Sequence, residues 1–207
     1  MIRILIADEH DVVREGLRKH LQSQPNWEVV AEAADGEEAI QRAIETKPDV
    51  AVLAYALPLI NGIAVTTQID KTLPDTEVVI YTAHRIEHLL ACSLKAGARG
   101  VVFKSEPISH LFEAIKAAMA HKPYFADTMS LSRVLERPNR SGLPLTVREL
   151  SVIQLVADGH TNKKIARALG IGLKTVETHR VNIMSKLGLG SSAELVRYAV
   201  RNQIVDA

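Results

Sequence analysis

Two groups of side chains in this 207-residue sequence could do chemistry. The first is cationic: Lys163, Lys164, Lys174, Arg180 and Lys186 crowd into one short stretch, with Thr175, Glu177, Thr178 and Val181 among them. Lysine and arginine neutralise nucleic-acid phosphates and fix register, which gives salt-dependent affinity. Beside them a glutamate can accept from cytosine N4, and apolar atoms can meet a thymine methyl. The second group, Asp8, Glu9, Thr82 and Lys104, is spread over the first half of the chain. Each of its members ends or follows a short apolar run.

The cationic stretch lies on three expected helices. Thr146 and Glu149 have the spacing of a capping box, in which each side chain satisfies a free amide of the first turn. Leu150, Ile153, Val156 and Ala157 then form an apolar stripe at helical spacing. Gly159 ends that helix, Thr161 caps the next, and Gly170 closes it. The third starts near Leu173 and turns Val176, Ile183 and Leu187 inward. Two such helices with a short Gly-containing turn form a helix-turn-helix, whose second helix enters the major groove.

At these residues the chain resembles the DNA-binding domain of the LuxR/FixJ family of bacterial transcription regulators. The matching segments are Leu145-Thr146, Arg148-Glu149, Asn162-Lys163, Ile165-Ala166, Lys174 to Arg180 and Lys186-Leu187-Gly188. The sequence departs from the family at Lys164, where Glu is usual, and at Gly172, where a Ser cap is usual. The resemblance implies double-stranded promoter DNA as partner and a homodimer on it. It also implies a fourth helix, Ser192 to Gln203, that makes the dimer contact through Leu195 and Ala199. The alternative is that this helix only caps the three-helix core.

Apolar runs and amphipathic patterns alternate five times before that. The runs are Ile2 to Ala7, Glu28 to Ala33, Asp49 to Tyr55, Glu77 to Ala83 and Gly100 to Lys104. Between and after them, helical patterns follow Asp11 and cover Glu37 to Thr46, Gly62 to Leu73, Ile86 to Ala96 and Ile108 to Ala120. This predicts a doubly wound five-stranded parallel sheet covered on both faces. Functional groups of such folds gather beyond the carboxyl ends of the strands. That rule selects Asp8 and Glu9 after the first strand, Ala54 near the end of the third, Thr82 after the fourth and Lys104 after the fifth.

This set is similar to the flavodoxin-like receiver domain of two-component response regulators. The resemblance implies an acidic pair, Asp8-Glu9, that holds Mg²⁺, and a Thr and Lys, Thr82 and Lys104, that read a phosphate. Pro58 and Gly62 match the loop after the acceptor, which places the acceptor position at Ala54. A methyl group neither attacks a phosphodonor nor ligates a metal, so position 54 is non-functional as a phosphoacceptor. With one anionic ligand gone, the Asp8-Glu9 site should be weak for a hard cation. Val101 stands where the family places the aromatic residue that reports phosphorylation. Two origins remain open for Ala54: natural divergence, which Val101 favours, or replacement of an Asp, which the retained pocket residues favour. A histidine kinase is a partner only in the second case.

The domains expected are a receiver over 1–121, a linker over 122–144 and an all-α helix-turn-helix domain over 145–207. Charge agrees: residues 1–128 hold 13 Lys/Arg and 18 Asp/Glu, net −5, whereas residues 129–207 hold 12 and 6, net +6. An acidic front and a basic back suit a signalling module joined to a nucleic-acid binder. The lone Cys92 fits a reducing cytoplasm, and the apolar N-terminus is too short for a signal peptide or membrane span. His10 reads as a loop hydrogen-bonder, His84 and His88 as a solvated face, and Trp27 and Tyr81 as packing residues. No catalytic residue and no required cofactor is expected, and an interaction module that titrates a partner is the rival function.

Overall fold

The computed structural model describes residues 1–83, 89–125, 145–202 and 204–205, with Val147 by its backbone only. Most of the expected linker, and His84 and His88, lie outside the described residues.

The first unit alternates as predicted: β1 (Ile2–Ala7), α1 (Asp11–Gln22), β2 (Trp27–Ala33), α2 (Gly36–Thr46), β3 (Val50–Leu53), α3 (Gly62–Thr72), β4 (Glu77–Thr82), α4 (Leu89–Lys95), β5 (Gly100–Phe103) and α5 (Ile108–Met119). β3, β4 and β5 are buried throughout, which is why their sequences run apolar and β-branched instead of alternating. The strands pair in parallel in the order β2-β1-β3-β4-β5, and a short sixth strand, β6 (Tyr124–Phe125), pairs in parallel with β5. The sheet thus carries one strand more than the five predicted, and the receiver extends past residue 121. Two residues of strand give no periodicity to read.

The pleat directs Ile4, Ile6, Val50, Val52, Val79 and Val102 to one face, against Leu17, Leu21, Leu111 and Ile115 of α1 and α5. Trp27 adds an edge contact to Phe112, with ring centroids 5.8 Å apart. The other face holds Leu5, Leu53, Ile80 and Val101 under α2, α3 and α4.

Among the described residues the second unit has four helices: α6 (Val147–Ala157), α7 (Asn162–Ala168), α8 (Leu173–Leu187) and α9 (Ser192–Arg201). The capping box closes α6 as expected, with Thr146 accepting from the Glu149 amide and Glu149 accepting from the Thr146 amide. Thr161 caps α7 and Ser191 caps α9. Every residue of α6 from Glu149 to Val156 is buried. A helix buried all round has neighbours on both sides. One side of α6 packs on α7, α8 and α9, and the other reaches α3 of the receiver.

Candidate nucleic-acid interface and receiver pocket

The parallel register brings the receiver residues together. Ala7 pairs with Leu53, so the next residues on the two strands, Asp8 and Ala54, stand side by side at the carboxyl edge. Thr82 pairs with Phe103, which places Lys104 just beyond it. Asp8, Glu9, His10, Ala54, Thr82 and Lys104 line one cavity of about 50 Å³. The Asp8 side chain is 1% exposed, and its Oδ2 lies 2.5 Å from Lys104 Nζ. Its Oδ1 accepts from the His10 amide at 3.1 Å, and the His10 ring stands 3.4 Å away. His10 is thus the loop hydrogen-bonder expected.

The loop after Ala54 is held tightly. The Gly62 amide donates to the Tyr55 carbonyl at 2.9 Å. A Cβ on Gly62 would fall 2.1 Å from the Ala54 carbonyl oxygen, so only glycine fits there. Tyr55 is fully buried, and burial pushes its phenol far above the ordinary range, with Cys92 and Tyr198 adding to the effect. Burial also raises the Cys92 thiol, partly offset by Lys95, which makes it an inert core group. Val101 is wholly buried and, being aliphatic, cannot swing outward as an aromatic reporter would.

The same loop meets the second domain. Gln154 on α6 donates from Nε2 to the Leu57 carbonyl at 2.9 Å. Asn61 caps α3 by accepting from the Ala64 amide at 2.9 Å, and its Nδ2 donates to Ser151 Oγ at 3.1 Å. Tyr198 of α9 completes the contact on the apolar side. Sequence reasoning missed Gln154, Asn61 and Ser151, although one signal was available. Ser151 and Gln154 are polar residues on a helix whose other positions are almost all apolar.

On the far side, α8 presents Lys174, Thr175, Glu177, Thr178 and Val181 to solvent, with Val181 68% exposed. Lys163 and Lys164 are exposed at the start of α7. The Thr178 hydroxyl donates to the Lys174 carbonyl at 3.0 Å. Arg180 is half-buried, donating from Nη1 to Asn162 Oδ1 at 2.8 Å and from Nη2 to Ser192 Oγ at 2.6 Å.

Residues 4–116 match the response regulator receiver domain family. Residues 143–199 match the bacterial regulatory proteins of the luxR family. The chain belongs to the LuxR-type response regulators. It is similar to the oxygen regulatory protein NreC of Staphylococcus epidermidis, at 37% identity over 99% of this chain and 100% of that one. The transcriptional regulatory protein LiaR of Bacillus subtilis is likewise 37% identical, over all of both chains. Among solved structures, RcsB of Salmonella enterica serovar Typhimurium bound to promoter P1flhDC with phosphomimetic BeF₃⁻ has a TM-score of 0.74 at 26% identity, covering 95% of this chain and 97% of that one. ChrA of a heme-sensing two-component system has a TM-score of 0.54 at 32% identity, covering 99% and 98%.

Two expectations for this LuxR-type response regulator need correction. Lys186 is not an outward phosphate contact: its Nζ lies 2.7 Å from Glu149 Oε2, and the side chain is only 18% exposed. It ties the last turn of α8 to the first turn of α6. Burial, the largest single influence, raises the Glu149 carboxyl. The hydrogen bonds from Lys186 and from the Thr146 amide and hydroxyl together outweigh it and hold the group below its usual value. Second, Leu195 and Ala199 have no exposed surface at all. They lock α9 onto the core of their own chain and cannot touch a partner. The outward face of α9 is Ala193, Arg197 and Val200, with half-buried Val196 beside it. The Asp8-Glu9 site, expected to be weak for a hard cation, has donors that fit Mg²⁺ poorly. Lys104 already neutralises Asp8, a methyl replaces the third oxygen donor, and no cluster of three candidate ligands occurs among the described residues. Among the described residues, no helix is long and apolar enough to cross a membrane.

Proposed function

We propose that this DNA-binding response regulator acts on promoter DNA from the cytoplasm with a receiver that works without phosphorylation at position 54. The observation that carries the reading is Ala54 itself. Its methyl group stands beside Asp8, where a nucleophilic oxygen would be needed, and Asp8 is paired with Lys104. The chain assigns no catalytic residue, and control falls to concentration, a partner protein, a small ligand in the pocket or heterodimerisation.

Lys163, Lys164, Lys174 and Arg180 neutralise phosphates while Thr175, Glu177, Thr178 and Val181 face the base edges. A homodimer on DNA meets through the outward face of α9. Domain docking supports a DNA-competent state, because the receiver covers α6 and leaves the outward side of α8 open.

Two measurements on the full-length protein test this together. Intact mass is recorded after incubation with acetyl phosphate and Mg²⁺, and duplex affinity is measured before and after. Unchanged mass and unchanged affinity are expected. A phosphorylated adduct that tightens DNA binding would overturn the proposal.

A further inference from the structure

The first helical positions of α7 and α9, Asn162 and Ser192, have no capping duty. Thr161 caps α7 by accepting from the Lys164 amide, and Ser191 caps α9 by accepting from the Glu194 amide. Asparagine and serine are poorer helix formers than alanine. Their side chains nevertheless converge on one group, the Arg180 guanidinium, from two separate helices. We propose that Asn162 and Ser192 are positioning residues that hold Arg180 in a fixed pose for one DNA phosphate.

The inference rests on the DNA-binding reading and adds what sets the geometry of this contact. A guanidinium carries five N–H groups. Asn162 takes one from Nη1 and Ser192 one from Nη2, which leaves Nε–H and one hydrogen on each Nη for an oxyanion. Arginine meets phosphate through such a planar fork. A free arginine must lose much of its rotamer freedom to do so. Here that ordering is already accomplished in the unbound chain, because Arg180 is half-buried and tied at both terminal nitrogens. Lys174, by contrast, is exposed on the same helix, and among the described residues no such tether is seen for its ammonium. The two cations therefore do different work: Arg180 sets where the backbone lies, and Lys174 adds attraction.

A phosphate contact is independent of sequence, so a short random-sequence duplex is a sufficient probe for the full-length protein. Arg180→Ala should lower the slope of log affinity against log salt by about 0.9, the loss of one phosphate. Asn162→Ala and Ser192→Ala should each weaken affinity about three- to tenfold, the cost of immobilising one long side chain on binding. In the Arg180→Ala background neither should have any further effect, and Ser192→Thr should keep full affinity. Thermal midpoints should not fall, since neither substitution removes a cap. Equal losses with and without Arg180 would overturn the assignment, because they would mean a structural role. An unchanged salt slope for Arg180→Ala would overturn it as well. Failure of the unmodified protein to bind any duplex would instead defeat the DNA-binding reading itself.

Discussion

Gln154 on α6 donates a buried hydrogen bond to the Leu57 carbonyl, 2.9 Å away and 97 residues back in the chain. Leu57 lies three residues past position 54, so the loop that would carry a phosphoacceptor in the receiver is itself part of the wall against the DNA-binding domain. The contact between the two domains is therefore made by the position-54 loop itself.

That contact predicts a coupled unfolding transition. Gln154→Ala leaves a buried carbonyl unpaired and should cost about 1–3 kcal/mol. Asn61→Asp keeps the α3 cap, which uses Oδ1, and loses only the donor to Ser151. In calorimetry the double variant should resolve two transitions where the unmodified protein shows one. A single transition in both would show that the apolar contacts alone bind the domains.

Lys104→Met leaves the Asp8 carboxylate buried without its cation. Removing one partner of a buried pair should cost about 3 kcal/mol. Denaturant unfolding reads this directly. Asp8→Asn combined with Lys104→Met should recover much of the loss, since both charges are then gone.

Glu149 gives a pH dependence of definite sign. Its folded carboxyl lies below its ordinary value, so the stabilisation is complete at neutral pH, above the unfolded value. It is lost as pH falls through the acid range toward the folded value. Glu149→Gln should therefore cost about 2 kcal/mol near neutrality, and the gap should close on acidification. Stability curves of both proteins against pH check this, and a constant gap would remove the ionised pair from the account.

Lys174→Ala should weaken binding to all duplexes alike and lower the salt slope. Thr178→Ala should shift sequence preference and leave that slope unchanged. Binding to a randomised duplex library at two salt concentrations separates the two outcomes, and an equal loss on every sequence for Thr178→Ala would remove its role at the bases.

On α9, Val200→Glu should abolish cooperative binding to two adjacent half-sites and leave the monomer stable. Leu195→Ala should destabilise the fold by about 2–5 kcal/mol. Sedimentation on DNA and thermal unfolding distinguish the two effects.

The sequence by itself determined the longer elements, though not the two-residue β6, and the chemistry of position 54. Strands buried on both faces have to be apolar throughout, helix ends need their caps and glycines, and a methyl cannot carry a phosphoryl group; each of these is local. Tertiary structure decided which polar groups were already in use. Lys186 looked like a DNA contact because charge on a helix says nothing about what lies opposite, and only the fold brings Glu149 to it across 37 residues. Leu195 and Ala199 looked like a dimer stripe because an apolar face does not say whether its partner is another chain or its own core. Ser151 and Gln154 stood out only as polar residues on an apolar helix, and their partners Asn61 and Leu57 were not legible, since a buried hydrogen bond between domains depends on how two independently patterned units dock.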